Sequence, residues 1–107
     1  MFQRRFWVIL FAVLLPIAIS CSGSPEAKKA KHLERGDSYF AEQKYKEAII
    51  EYKNVIQLDG SNAHAFERAG LAYLELGEAA NAFAFLSKAR DLNPENLEVR
   101  LKLGNLY

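Results

Sequence analysis

Residues 29–62 read KAKHLERGDSYFAEQKYKEAIIEYKNVIQLDGSN, and residues 63–96 read AHAFERAGLAYLELGEAANAFAFLSKARDLNPEN. Laid over one another, Gly36 falls on Gly70, Tyr39 on Tyr73, Ala48 on Ala82, Leu58 on Leu92 and Asn62 on Asn96. One further step of 34 residues brings Gly104 and Tyr107 into the same register. A fixed period of this length marks a solenoid, in which each unit buries its apolar face only against its neighbours.

Apolar spacing says what each unit is made of. Leu33, Gly36, Tyr39 and Phe40 fall on one side of a helix, and Ala48, Ile49, Tyr52, Val55 and Ile56 do the same for the next. No run alternates with the period of a strand. The pattern predicts helices over residues 25–42, 45–58, 63–76, 79–91 and from 97 to 107. Gln43-Lys44 and Gly77 mark tight inner turns, while Asp59–Asn62 and Asn93–Asn96 mark longer joints. Ser24, Pro25 and Glu26 form a helix start, with a capping side chain, a proline at the first position and an acid in the first turn. The expected fold is all-α, a superhelical α/α solenoid of antiparallel helix pairs. Gly36 with Ala48, and Gly70 with Ala82, are small where paired helices cross; Tyr39 and Tyr52 are large enough to fill gaps between units.

These residues resemble the tetratricopeptide repeat. Gly36, Tyr39, Ala48, Tyr52 and Val55 stand in its signature places in a first unit, Lys29–Asn62. A second unit, Ala63–Asn96, has Phe66, Gly70, Tyr73, Gly77, Ala82, Leu86, Ala89 and Pro94. A partial third unit, residues 97–107, reaches Leu103, Gly104 and Tyr107, so the array covers residues 25–107. His32, Arg35 and Gly60 depart from the pattern. The resemblance implies that the first helix of each unit lines a concave groove that binds partner proteins or peptides. Carried over by position, the groove takes Leu33, Asp37, Phe40 and Ala41 from unit one, His64, Glu67, Leu71, Leu74 and Glu75 from unit two, and Glu98, Leu101 and Asn105 from unit three. Leu33 and Asp37 stand where chaperone-binding members carry the lysine and asparagine that hold a terminal carboxylate, and Asp37 is expected to repel that group. The third unit stops within its first helix, leaving Leu97, Leu101 and Leu103 in want of a partner. The chain therefore reads as the opening piece of a longer repeat protein.

The N-terminal segment has a different composition. Met1–Arg5 is a short basic region, and Phe6–Ile19 is an uncharged run of fourteen residues that includes Pro16. That run is short of the roughly 20 residues a spanning helix needs and fits a secretory signal peptide over residues 1–20. Ala18-Ile19-Ser20-Cys21 resembles the lipobox of bacterial lipoproteins, with Ala18 in place of the commoner leucine. The resemblance implies export, cleavage before Cys21 and acylation of that cysteine with diacylglycerol and commonly a further acyl chain, palmitate among them. Ser22 after the cysteine implies the outer membrane, on its periplasmic face, and residues 21–24 form a lipidated tether.

What remains argues against chemistry. Without Arg4 and Arg5 the chain carries twelve basic and thirteen acidic residues, too balanced for a nucleic-acid footprint. Cys21 is the sole cysteine, and His32 and His64 lack the spacing of metal ligands, so no metal or cofactor is implied. Arg35-Gly36-Asp37 spells an adhesion tripeptide inside a helix, and Gly36-Asp37-Ser38 lacks both the strand and the partners of an esterase nucleophile. Lys28, Lys29 and Lys31 read as a solvated helix start, with anionic lipid headgroups as the alternative. Glu47, Glu51, Lys53, Glu67 and Arg68 read as solvent-facing charges. The chain is expected to be a lipid-anchored, non-enzymatic scaffold for other proteins, serving envelope export or assembly and having no small-molecule substrate. The alternative is the docking arm of an enzyme whose catalytic domain lies beyond residue 107.

Overall fold

A computed structural model describes residues 23–107; the signal segment and Cys21 lie outside the described residues. Five helices follow in order: α1 (Pro25–Ala41), α2 (Tyr45–Leu58), α3 (Ala63–Glu75), α4 (Ala79–Leu92) and α5 (Leu97–Leu106). No strand occurs among the described residues. α1 packs against α2 and α3 against α4, with α2 also against α3 and α4 against α5.

The 34-residue period governs the helix ends as well as the helices. Ser24 Oγ accepts from the Ala27 N–H at 3.1 Å. Asn62 and Asn96, one period apart, cap α3 and α5 by accepting from Ala65 N–H at 3.0 Å and Val99 N–H at 3.3 Å. The inner turns repeat too. Lys44 N–H donates to the Tyr39 carbonyl and Gln43 N–H to that of Phe40; Glu78 N–H donates to Tyr73 and Gly77 N–H to Leu74. Both are Schellman motifs, and each requires a left-handed residue after the helix. Gly77 fills that place at φ 75°, but Gln43 fills its counterpart at φ 61°.

Packing divides into three clusters. Ala48, Tyr52, Val55, Ala65 and Ala69 join α2 to α3, with Leu33, Tyr39 and Phe40 of α1 laid against them. Ile49, Ala72, Tyr73 and Ala82 form the second, and Leu86, Ala89, Val99 and Leu103 the third. Leu103, expected to lack a partner, is buried here against α4. Its neighbours Leu97 and Leu101 are exposed.

The glycines show what allows each pair to close. A Cβ at Gly36 would lie 2.8 Å from Cε1 of Tyr52, and one at Gly70 would lie 2.6 Å from Cγ of Leu86. Tyr52 and Leu86 are themselves one period apart. Tyr52 therefore fits against the glycine of its own unit and, with Ala65 and Ala69 of the next, also fills the space between units. Tyr39 is only half-buried, because no preceding helix covers it among the described residues. Gly104 is not at a crossing: a Cβ there meets nothing within 4 Å.

The same substitution at two equivalent glycines should give opposite signs. Gly70→Ala loses about 1–3 kcal/mol, since the new methyl also sits 3.2 Å from the Leu86 backbone nitrogen and α4 must shift. Gly104→Ala gains about 0.5–1 kcal/mol from helix propensity alone. Urea unfolding followed by circular dichroism measures both. At the first inner turn, Gln43→Gly should gain roughly 0.5–1 kcal/mol by relieving the left-handed conformation, less the entropy a glycine adds to the unfolded chain. Gly77→Ala, read in the same assay, should lose about 1 kcal/mol.

Candidate binding groove

α1, α3 and α5 are the first helices of successive units, so residues one period apart occupy equivalent places on them. Leu33, Asp37 and Ala41 on α1 correspond to Glu67, Leu71 and Glu75 on α3, and Leu101 and Asn105 continue the series on α5. Ala30, Leu33, Asp37 and Ala41 line one shallow recess along α1.

Asp37 is tied into the wall. Tyr52 Oη donates to Asp37 Oδ1 at 2.6 Å, and His64 Nε2 lies 3.0 Å from the same oxygen and 3.3 Å from Oδ2. The Tyr52 and His64 rings meet edge to face, with centroids 6.4 Å apart. This cluster joins α1, α2 and α3 at the boundary between the first two units. Burial of the Tyr52 ring, and then the hydrogen bond to Asp37, push its phenol well above the ordinary tyrosine range. The carboxylate expected to stand free is thus already accepting two side-chain contacts. Glu67 is held likewise: Asn96 Nδ2 donates to its Oε2 at 3.0 Å, so the residue that caps α5 also fixes a groove acid of α3.

Other expected groove residues divide by burial. Leu33 and Phe40 lean on the first cluster, and Leu71 and Leu74 on the third, so all four present an edge rather than a whole side chain. Ala41, Glu75, Glu98, Leu101 and Asn105 are the open positions, and Asp37, though exposed, is held by Tyr52 and His64. Arg68 stacks on the Phe40 ring, its guanidinium carbon 5.1 Å from the centroid. It forms no ion pair among the described residues, and its charge is felt at the Tyr52 phenol.

Three charges expected to face solvent are engaged instead. His32 Nδ1 and Glu51 Oε2 lie 2.6 Å apart between α1 and α2, with the Glu51 side chain only 14% exposed. Lys53 lies over the Tyr73 and Phe85 rings, 5.7 and 6.0 Å from their centroids. Lys29 reaches Glu26 at 3.0 Å and Asp59 at 3.3 Å, and these hydrogen bonds raise its pKa. The basic cluster near the N-terminus is therefore reduced to Lys28 and Lys31. One signal for the Asp37 contact was available in the sequence. His64 stands one period after Ala30 and one before Glu98, in a column that becomes polar at the second unit.

No three His, Cys, Asp or Glu side chains among the described residues are grouped to hold a metal ion. No described helix is long and apolar enough to cross a membrane. Gly36 of the adhesion-like tripeptide is buried beneath Tyr52, and Ser38 is exposed on α1.

Comparison with known proteins bears on the same residues. A family model described as TPR repeat matches residues 36–77, and one described as tetratricopeptide repeat matches residues 63–96. The chain is 38% identical over 63 residues to tetratricopeptide repeat protein 37 of Xenopus laevis, a match covering 59% of this chain and 4% of that protein. Among solved structures, the second TPR domain of human RPAP3 in complex with the HSP70 peptide SGPTIEEVD aligns with a TM-score of 0.72 and 26% identity, over 78% of this chain and 69% of that one. The first TPR of Spaghetti (RPAP3), bound to the HSP90 peptide SRMEEVD, gives 0.70 at 23% identity, over 73% of this chain and 62% of that one. The TPR domain of Arabidopsis OM64 gives 0.72 at 23% identity, over 78% and 69%. At 23% identity the likeness is one of fold.

The Tyr52–Asp37 hydrogen bond predicts a pH dependence of stability. A phenol raised by folding contributes fully below its unfolded pKa of about 10, and that contribution is lost as pH rises further. Tyr52→Phe should cost about 1 kcal/mol at pH 8. The gap to the native chain should narrow in urea unfolding between pH 8 and about pH 11, since only the native chain must hold that proton.

Proposed function

This chain belongs to the tetratricopeptide repeat family, and we propose that it is a scaffold that recruits a partner protein through the inner wall of α1, α3 and α5. The observation that carries this reading is the open series Ala41, Glu75, Leu101 and Asn105, beside Arg68 on the Phe40 ring. Apolar surface and both signs of charge lie along one face, as an extended or helical segment of a partner requires. The RPAP3 domains named above are bound to chaperone peptides in their solved structures, which supports a peptide as the kind of ligand. Asp37 and Glu67 are held by His64, Tyr52 and Asn96, so the contact with the partner falls to the open series.

In this reading the scaffold is exported and fixed to a membrane through Cys21. The segment before that cysteine supports a signal peptide, and the four residues ending in it support lipidation. Acyl chains contribute about 0.8 kcal/mol per buried CH2, so two or more hold a small domain stably at a bilayer. The outer membrane, with the array in the periplasm, is the proposed site. Chemistry is left to the recruited partner, within an envelope export or assembly system.

Cross-linking in intact cells with paired variants tests both parts. The chain should fractionate with membranes and carry an acylated Cys21 by mass spectrometry, and Cys21→Ser should release it. Ala41→Arg with Glu75→Arg should abolish the cross-linked partner while leaving membrane association and helix content unchanged. An intact Met1 in the mature protein overturns the anchor; a partner retained by the double variant overturns the groove.

A further inference from the structure

Ala65, Ala69 and Ala72 turn one face of α3 toward the first unit, where all three are fully buried. One period earlier the same positions are Lys31, Arg35 and Ser38, so this face of α1 looks away from the stack and forms its end. An end face needs polar side chains, but their sign is free. Here it is positive. Lys28, Lys31 and Arg35 fall at i, i+3 and i+7 on one side of α1, all exposed. None of them forms an ion pair among the described residues. The acids at either end of the stripe are engaged elsewhere: Glu26 holds Lys29 at 3.0 Å, and Glu42 lies 3.4 Å from Lys44. Glu34 stands at the border, lining both the outer depression with Lys31 and Arg35 and the recess with Leu33 and Asp37.

The stripe also lies at the anchored end of the chain. Only Ser22, Gly23 and Ser24 separate Cys21 from Pro25, the first residue of α1, a reach of about 14 Å when fully extended. Anionic headgroups attract Lys and Arg over roughly a Debye length, about 8 Å at physiological salt. Resting on the reading of Cys21 as a lipid anchor, we propose that Lys28, Lys31 and Arg35 dock the end face of α1 on anionic phospholipid headgroups of the bilayer that holds the anchor. The short tether brings that bilayer to the stripe permanently, whereas an acidic protein has to arrive from solution. Laid flat, α1 keeps all three side chains at the headgroups. Upright, a rise of about 1.5 Å per residue carries Arg35 roughly 15 Å beyond Pro25 and out of the field. Docked in this way the units stack outward from the membrane, α1 nearest and α5 farthest, and the inner wall faces sideways, open to a partner.

Mass spectrometry of the chain purified from membranes first scores acylation of Cys21, and an unacylated cysteine overturns the anchor alone. Chain with a free thiol is then coupled through Cys21 to a maleimide lipid, so docking is tested in either case. Amide exchange is compared on vesicles of phosphatidylcholine and on vesicles in which a third of the lipid is phosphatidylglycerol. On the anionic vesicles α1 should exchange roughly tenfold more slowly or better, at about fivefold for each docked basic residue, while α5 is unchanged. Potassium chloride at roughly 0.5 M should remove the difference. Lys31→Glu with Arg35→Glu should abolish it; both side chains are exposed, so the variant is expected to keep its helix content. Equal exchange of α1 on the two vesicles, or slowing that survives the double variant or the salt, overturns the proposal. Slowing of α1 on phosphatidylcholine alone once soluble envelope proteins are added assigns the face to an acidic protein and overturns it as well.

Discussion

The structure depends on how closely the second helix of a unit approaches the first at one residue. At Gly36 and Gly70 there is no room for a Cβ, because a Tyr52 ring carbon and the Leu86 Cγ stand 2.8 and 2.6 Å from where it would be. Dispersion contacts fall steeply with distance, so a helix pair held apart here loses packing along its whole length. The same contact fixes the rotation of α1 and α3 about their axes. Once Gly36 faces Tyr52 and Gly70 faces Leu86, equivalent residues of the two helices point the same way, and a continuous inner wall follows. The groove is thus a consequence of where side chains are missing as much as of where they are present.

Boundaries between units obey a second rule, visible in one column of residues. Ala65, Ala69 and Ala72 of α3 are buried against the first unit. Their counterparts on α5 are Val99, Leu103 and Leu106, larger and packed on α4. On α1 the same column reads Lys31, Arg35 and Ser38, all exposed. Small apolar, large apolar and polar side chains thus occupy one repeat position, each according to what lies across from it. Polar residues make the outer face of α1 a solvated edge, whereas α5 keeps an apolar one. Repeat proteins need a polar face wherever stacking stops, and α1 has that character.

The sequence makes the architecture legible because a solenoid writes each contact more than once. Gly36 alone says little; Gly36, Gly70 and the caps Asn62 and Asn96 in one register specify helix pairs, joints and boundaries to within about two residues. Legibility fails where a position is used only once. Nothing in the residue type marks Gln43 as left-handed, since its counterpart Gly77 carries the signal and Gln43 does not. Gly104 has the signature residue without the crossing, because the helix that gives the position its meaning is not among the described residues. The resemblance gives the groove to the first helix of each unit, yet Leu33, Leu71 and Leu74 are half-buried there. Position tells which way a side chain points. Whether a neighbour covers it depends on the bulk of residues elsewhere in the chain, here Tyr52, Leu86 and Val99.

Asp37 shows how this bears on recognition. From the sequence it is a charge on a binding face; in the structure its partners come from residues 15 and 27 positions away, on two other helices. A carboxylate already accepting from a buried phenol and facing an imidazole offers a ligand less of its charge and less freedom to turn. Its role shifts from contact to support, bracing the boundary between the first two units. Glu67, held by Asn96, makes the same shift one unit on. The acids nearest the unit boundaries are thus spent on holding neighbouring units in register. Arg68 faces no carboxylate among the described residues, and its charge rests on an aromatic ring that cannot neutralise it. On the inner wall, then, the acids at the unit boundaries brace neighbouring helices, while the Arg68 guanidinium stays at the surface on the Phe40 ring.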